Sequence, residues 1–188
     1  MALQGSASPA QQDYLRILAT GMSYVAEIGF NEGVSAQALL SANPVLRLVS
    51  FEIARHYDVD AAKLRIDCIF PGRHELVAGD SRETVPLWAG AHPYQMLDMV
   101  FVDGGHEPEV VKADLANSVR LLRPGGLLVC DDLTPWKPWG AGPVQAWEEL
   151  TAAGGVVQVD LRLDGEWVAE IPQDGAPDAR VWAPGMVW

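Results

Sequence analysis

The chain predicts a doubly wound α/β fold, and three observations carry that reading. Short apolar runs alternate with amphipathic stretches, a glycine turn follows the first strong run, and two later runs each end in aspartate. Continuous apolar runs suit parallel strands covered by helices on both faces, and open α/β sheets bind ligands beyond the carboxyl ends of such strands.

In chain order, the pattern predicts a helix over 9–20, a strand over 24–28, a helix from about Ser35, a strand over 46–51 and a helix from about Asp58. A strand over 74–78 and a helix over 82–88 lead to the run MLDMVFVD, then a helix over 108–122. Pro124, Gly125 and Gly126 stop that helix, because proline lacks an amide proton and glycine accepts unusual backbone angles. Residues 127–130 form the fifth buried strand. Two alternating runs, VVQVDLRL and EWVAEI, flank Asp164-Gly165, a dipeptide favoured in tight hairpins. The expected sheet is therefore seven-stranded and mostly parallel, with a C-terminal antiparallel hairpin. The tail over 173–188, rich in Pro and Gly and carrying Trp182 and Trp188, either docks on its own domain or meets a partner.

The 188 residues fit a single domain, with an N-terminal helical segment over 1–22. No apolar run approaches the roughly 20 residues that span a bilayer, and the N-terminus lacks a basic start before a long apolar stretch; a cytoplasmic protein is expected. Cys68 and Cys130 sit in apolar contexts and are expected as buried free thiols. The formal charge of −12 opposes nucleic-acid binding, which needs a basic footprint on the phosphates.

In YVAEIGFNEGVSA the chain leaves a strand, turns through Gly29 and Gly33, and enters a helix. GFNEG is not G-x-G-x-x-G, and no G-x-x-x-x-G-K-[ST] loop occurs, so a phosphate cradle is not expected. Glu27 puts a carboxylate where a cationic ligand group could sit, unless the turn serves packing alone and Glu27 is solvated. Glu52, about 20 residues beyond the turn, stands where an acid can hold ribose hydroxyls. Two acids without a phosphate site favour an uncharged nucleoside bearing a cation, a description that S-adenosylmethionine fits.

The runs FVDGGH and LLVCDDL bring Asp103, Asp131 and Asp132 to the ends of neighbouring strands. Three crowded carboxylates raise one another's pKa unless a cation neutralises them, and magnesium, which prefers octahedral oxygen coordination, is the expected partner. Adjacent acids at 131–132 also suit a simple cap on the next segment. His106, in a glycine-flexed turn three residues after Asp103, is placed to act as a general base or to be an exposed bystander. Trp136 and Trp139 are candidate acceptor contacts, and Trp147, on a helix, is expected in the core.

On these motifs the sequence resembles class I S-adenosylmethionine-dependent methyltransferases over almost its whole length. The resemblance makes AEIGFNEGVSA the cofactor loop, with Glu27, Gly29, Asn31, Gly33 and Ser35 as contacts and Glu52 beside Ile53 at the ribose. It puts Asp80 and Ser81 of AGDS near adenine, although an Asp-Ser pair also suits a helix cap. Within that class the D-x-x-H and Asp-Asp pattern resembles metal-dependent O-methyltransferases, nearer the macrolide-sugar type than the catechol type. The resemblance implies Asp103, Asp131 and Asp132 as ligands of Mg2+ or another divalent cation, Asp103 also beside the cofactor, and His106 as base toward a small-molecule hydroxyl. The chain is short at its N-terminus relative to such enzymes, so its acceptor is either open or covered by the partner subunit of a homodimer. A metal-independent methyltransferase and a non-catalytic S-adenosylmethionine-binding protein are the competing readings.

Overall fold

The computed structural model describes residues 7–53 and 57–188, so the first six residues, on which the expectation of no leader partly rests, lie outside the described residues. The helices are α1 (Pro9–Ala19), α2 (Val34–Ala42), α3 (Tyr57–Ile69), α4 (Ser81–Ala91), α5 (Pro108–Leu121) and α6 (Ala141–Ala152). The strands are β1 (Tyr24–Ile28), β2 (Arg47–Glu52), β3 (His74–Ala78), β4 (Leu97–Val102), β5 (Leu122–Cys130), β6 (Val157–Gln158), β7 (Arg162–Leu163), β8 (Glu166–Trp167) and β9 (Val181–Met186). They order as β3-β2-β1-β4-β5-β9-β7-β8, with β6 also on β9. The first five strands pair in parallel. Strand order reverses between β1 and β4, which opens a crevice at their carboxyl ends.

Period-two alternation divides the core between the two faces. Ala26, Ile28, Val100 and Val102 pack on one side of the sheet. Val25, Met99 and Phe101 pack on the other with Leu15, Leu39 and Ile66 of the helices. Trp147 is buried, as its helical position predicts. Ser8 caps α1 through a reciprocal pair with Gln11, and Pro9 occupies the first turn, where its missing amide proton costs nothing.

Three expectations need correction. The sheet has nine strands among the described residues, not seven, because the tail itself supplies the strand that runs antiparallel to β5. Val181, Trp182 and Ala183 are buried there, and apolar side chains on both faces outweigh the presence of Pro184 and Gly185 in the strand. The expected hairpin forms only as the two-residue arms β7 and β8 around Asp164 and Gly165, both at positive φ, while the residues upstream pair with β9. Cys130 is buried as expected, but Cys68 is exposed. Among the described residues no helix is long and apolar enough to cross a membrane.

Candidate active site

The crevice between β1 and β4 widens into a cavity of about 340 Å3. Gly29 makes it possible. Its φ is +96°, and a Cβ built there would stand 2.0 Å from the carbonyl oxygen of Asp103, so only glycine lets the two loops pass this closely. The amide of Asp103 donates to Ile28 at 2.9 Å and the amide of Gly29 donates to Phe51 at 2.9 Å, tying the three strand ends together.

Gly29, Asn31, Ser35, Glu52 and Ile53, all expected cofactor contacts, line this cavity. Asp80, Ser81, Asp103, His106 and Asp132 line it as well. One oxygen of Glu52 accepts from the amides of Phe30 at 3.0 Å and Asn31 at 2.8 Å, which holds the acid against the loop. Ile53, an apolar side chain that is 72% exposed, stands at the rim. Asp80 both borders the cavity and caps α4, accepting from the amide of Arg82 at 3.0 Å. The guanidinium of Arg82 holds the Asp80 carboxyl down to about 2.

Glu27 and Gly33 do not line the cavity. Alternation along β1 turns Glu27 toward the face that carries α2, where its oxygens accept from the hydroxyls of Ser35 and Ser50, each at 2.6 Å. It is not solvated, and its carboxylate stays out of the cavity. Burial pushes its carboxyl up to about 7 despite those two bonds. Ser50 also lies 2.8 Å from Nε2 of His74, whose pKa burial and Lys63 push down to about 4. Gly33 caps α2 at positive φ.

The three aspartates do converge. A hollow of about 10 Å3, room for about one water, touches Asp103, Asp131, Asp132 and His106. Their carboxylates are nevertheless directed to different partners. Gln11 of α1 donates to both oxygens of Asp131, at 2.8 and 2.7 Å. Asp132 has φ +56°, a left-handed conformation that aspartate tolerates better than most residues, and this turns its side chain the other way. There it meets Nε2 of His106 at 2.8 Å and Nη1 of Arg180 at 3.3 Å.

The electrostatics follow these partners. Burial, then the charges of Asp131 and Asp132, raise Asp103 well above the ordinary carboxylate range. Burial and the charge of Asp132 likewise raise Asp131. For Asp132 burial also acts upward, but His106 and Arg180 outweigh it and hold the group low. The bond to Asp132 raises His106 against the effect of burial.

Among the described residues no group of three or more His, Cys, Asp or Glu side chains is arranged to hold a metal ion. The reason is visible in the bonding: Asp131 is taken by an amide donor and Asp132 by a histidine and a guanidinium. The residues as they stand do not fit the divalent cation that the resemblance implies.

Gln11, Lys137 and Arg180 were not singled out by the sequence reading. The Ser8-x-x-Gln11 capping box was legible, but nothing in it foretells the long-range bond to Asp131. Trp136 and Trp139 do not line the cavity; Trp136 packs against the core and donates to the carbonyl of Ala176, and Trp139 is 41% exposed.

Residues 26–133 match the methyltransferase domain family. Comparison with curated protein sequences gives no match. Among solved structures, the chain is similar to an O-methyltransferase from Bacillus cereus in complex with SAH, at 20% identity over 99% of this chain and 84% of that one, with a TM-score of 0.76. It is similar to the O-methyltransferase TomG from Streptomyces achromogenes, involved in tomaymycin synthesis and bound to SAM, at 22% identity over 97% and 82% of the chains, with a TM-score of 0.72. It is also similar to the N-methyltransferase NodS from Bradyrhizobium japonicum WM9, at 18% identity over 94% and 92%, with a TM-score of 0.67. Likeness at these identities speaks for the fold, and one fold serves both oxygen and nitrogen acceptors here.

Proposed function

This chain belongs to the methyltransferase domain family, and on that premise we propose that it is an S-adenosylmethionine-dependent O-methyltransferase acting on a hydroxyl of a small molecule, with His106 as general base. The observation that carries the reading is the His106–Asp132 pair at 2.8 Å, at the wall of a cavity that also exposes Glu52, Asp80 and Asp103. The formal charge of −12 favours a small acceptor over a polyanion.

The lining of the cavity suits the cofactor in chemistry. Glu52 is the acid for the ribose hydroxyls, the exposed Ile53 offers an apolar face to the base, and Asp80 and Ser81 offer it polar edges. Asp103 and the backbone of residues 29–31 remain for the charged amino-acid end. When bound, the cofactor supplies a sulfonium methyl carbon open to in-line attack. Asp132 accepts from Nε2–H of His106, which selects the tautomer whose Nδ1 lone pair is free to take the acceptor's proton. General-base catalysis of this kind contributes about 100- to 10,000-fold, and alignment of the two reactants adds to it.

Of the two methyltransferase readings, the one without a metal is favoured by the engagement of Asp131 and Asp132 with Gln11, His106 and Arg180. We further propose that residues 1–188 work as a single methyltransferase domain.

The test is release of S-adenosylhomocysteine in a screen of hydroxylated small molecules, with amine analogues alongside. Turnover of a hydroxyl acceptor that falls about 100-fold or more in His106→Ala supports the reading. Turnover confined to amines, or unaffected by loss of His106, contradicts it.

A further inference from the structure

The acidic edge of the site contains two cations that neither the motifs nor the family assign. Arg180 immediately precedes β9, and its Nη1 lies 3.3 Å from Oδ1 of Asp132. Lys137 is buried beside it and donates through Nζ to the carbonyl of Ala179. Arg180 is held by its own backbone: its amide donates to the Asp164 carboxylate at 2.8 Å, and its carbonyl accepts from the Asp164 amide at 2.9 Å. Asp164 sits in the left-handed turn of the β7–β8 hairpin, and Leu133 donates to Val181 at 3.0 Å, so hairpin, tail strand and acidic loop form one frame. The guanidinium side chain is only 20% exposed.

We infer that Arg180 is the built-in cation of this site, standing at Asp132 where a divalent ion would otherwise be needed, and that it positions the Asp132–His106 pair without metal. The charges support this. Three aspartates, Asp103, Asp131 and Asp132, face the guanidinium of Arg180, the amine of Lys137, whose pKa burial lowers, and the imidazole of His106. A guanidinium delivers its charge through directed N–H donors, so it also fixes which Asp132 oxygen is left for His106: Oδ1 is bound to Arg180 and Oδ2 to Nε2 of His106. A divalent ion competing for Oδ1 would have to displace the guanidinium of a residue already held by two backbone bonds to Asp164 and by its side-chain bond to Asp132. Arg180 acts through Asp132 and His106, which makes it a positioning residue.

The inference leans on the methyltransferase reading only for the role of His106; the competition between guanidinium and metal is independent of it. The test is uptake of Mn2+, followed by electron paramagnetic resonance, by the purified full chain as wild type, Arg180→Gln and Arg180→Lys. Wild type and Arg180→Lys are expected to leave millimolar Mn2+ free, whereas Arg180→Gln gains a single Mn2+ site that Asp132→Asn in the same background removes. Uptake by wild type that Asp132→Asn abolishes would overturn the inference, as would the lack of any Mn2+ site in a folded Arg180→Gln. Should Arg180→Gln not fold, the wild-type result still decides. Titration of S-adenosylhomocysteine into the same samples separates the two claims: failure to bind it counts against the methyltransferase reading and leaves the Mn2+ result standing.

Discussion

Nε2 of His106 and Oδ2 of Asp132 are 2.8 Å apart although 26 residues separate them in the chain. The pair exists because β4 and β5 are parallel neighbours, and because Asp132 adopts the left-handed backbone that turns its carboxylate toward the D-G-G-H loop. Gly142 of α6 supports the loop from outside: a Cβ there would stand 2.0 Å from the carbonyl oxygen of His106.

This pair makes the rate sensitive to pH in a defined direction. His106 must be neutral to accept a proton, and Asp132 raises its pKa above 6.5, aided by Asp131 and Glu107 and opposed by burial. The acidic limb of kcat/KM is therefore expected above that value in the wild type. Asp132→Asn should move the limb to lower pH and reduce kcat about tenfold or more. A limb that stays in place would separate His106 from the chemistry.

Glu27 predicts how stability depends on pH. Its folded pKa of about 7 lies above the ordinary carboxyl value of 4.5, so the folded state holds the proton more tightly between those values. Stability is fully present below about 4.5 and is lost as pH rises through about 7. Glu27→Gln should remove that loss, leaving the variant more stable than wild type at pH 8 relative to pH 5, by up to about 3 kcal/mol. Urea denaturation at the two pH values measures the difference.

Gln11 ties α1 to the site. Gln11→Ala removes the side-chain amide that donates to both oxygens of the buried Asp131 carboxylate and leaves it only the backbone amide of Asp132, and such a loss costs about 1–3 kcal/mol. The expected result is a lower denaturation midpoint with unchanged secondary structure by circular dichroism.

Gly29 is the most constrained position in the crevice. Gly29→Ala would force β1 away from Asp103 and place a side chain at φ +96°, so cofactor affinity should fall by about 100-fold or more even where the variant folds. Calorimetry on the variant checks this.

Much of the fold was legible because its signals are local. Apolar runs separated by Gly and Pro placed β1 to β4 to within a residue or two, and the Gly29 turn and Asp103 marked the carboxyl edge of the sheet. The tail strand was not legible: VWAPGM contains Pro and Gly, and only pairing with β5 makes it a strand. The same limit applies to the site. Glu52, Asp80, Asp103 and His106 stand out as candidates in the sequence because each lies at or just beyond the end of a strand, whereas Gln11, on α1, and Arg180, just before β9, reach Asp131 and Asp132 from far away in sequence. Glu27 shows the converse error, since its place at the end of β1 is right but the alternation of the strand turns it into the interior.

The central claim is that the crevice between β1 and β4 holds S-adenosylmethionine. Calorimetric titration of S-adenosylmethionine and S-adenosylhomocysteine into the wild type and Glu52→Ala tests it most directly. The account predicts a single site for both ligands in the wild type, weakened about tenfold or more in Glu52→Ala, as loss of a hydrogen-bonded acid implies. No binding of either ligand, or binding that ignores Glu52, would contradict it.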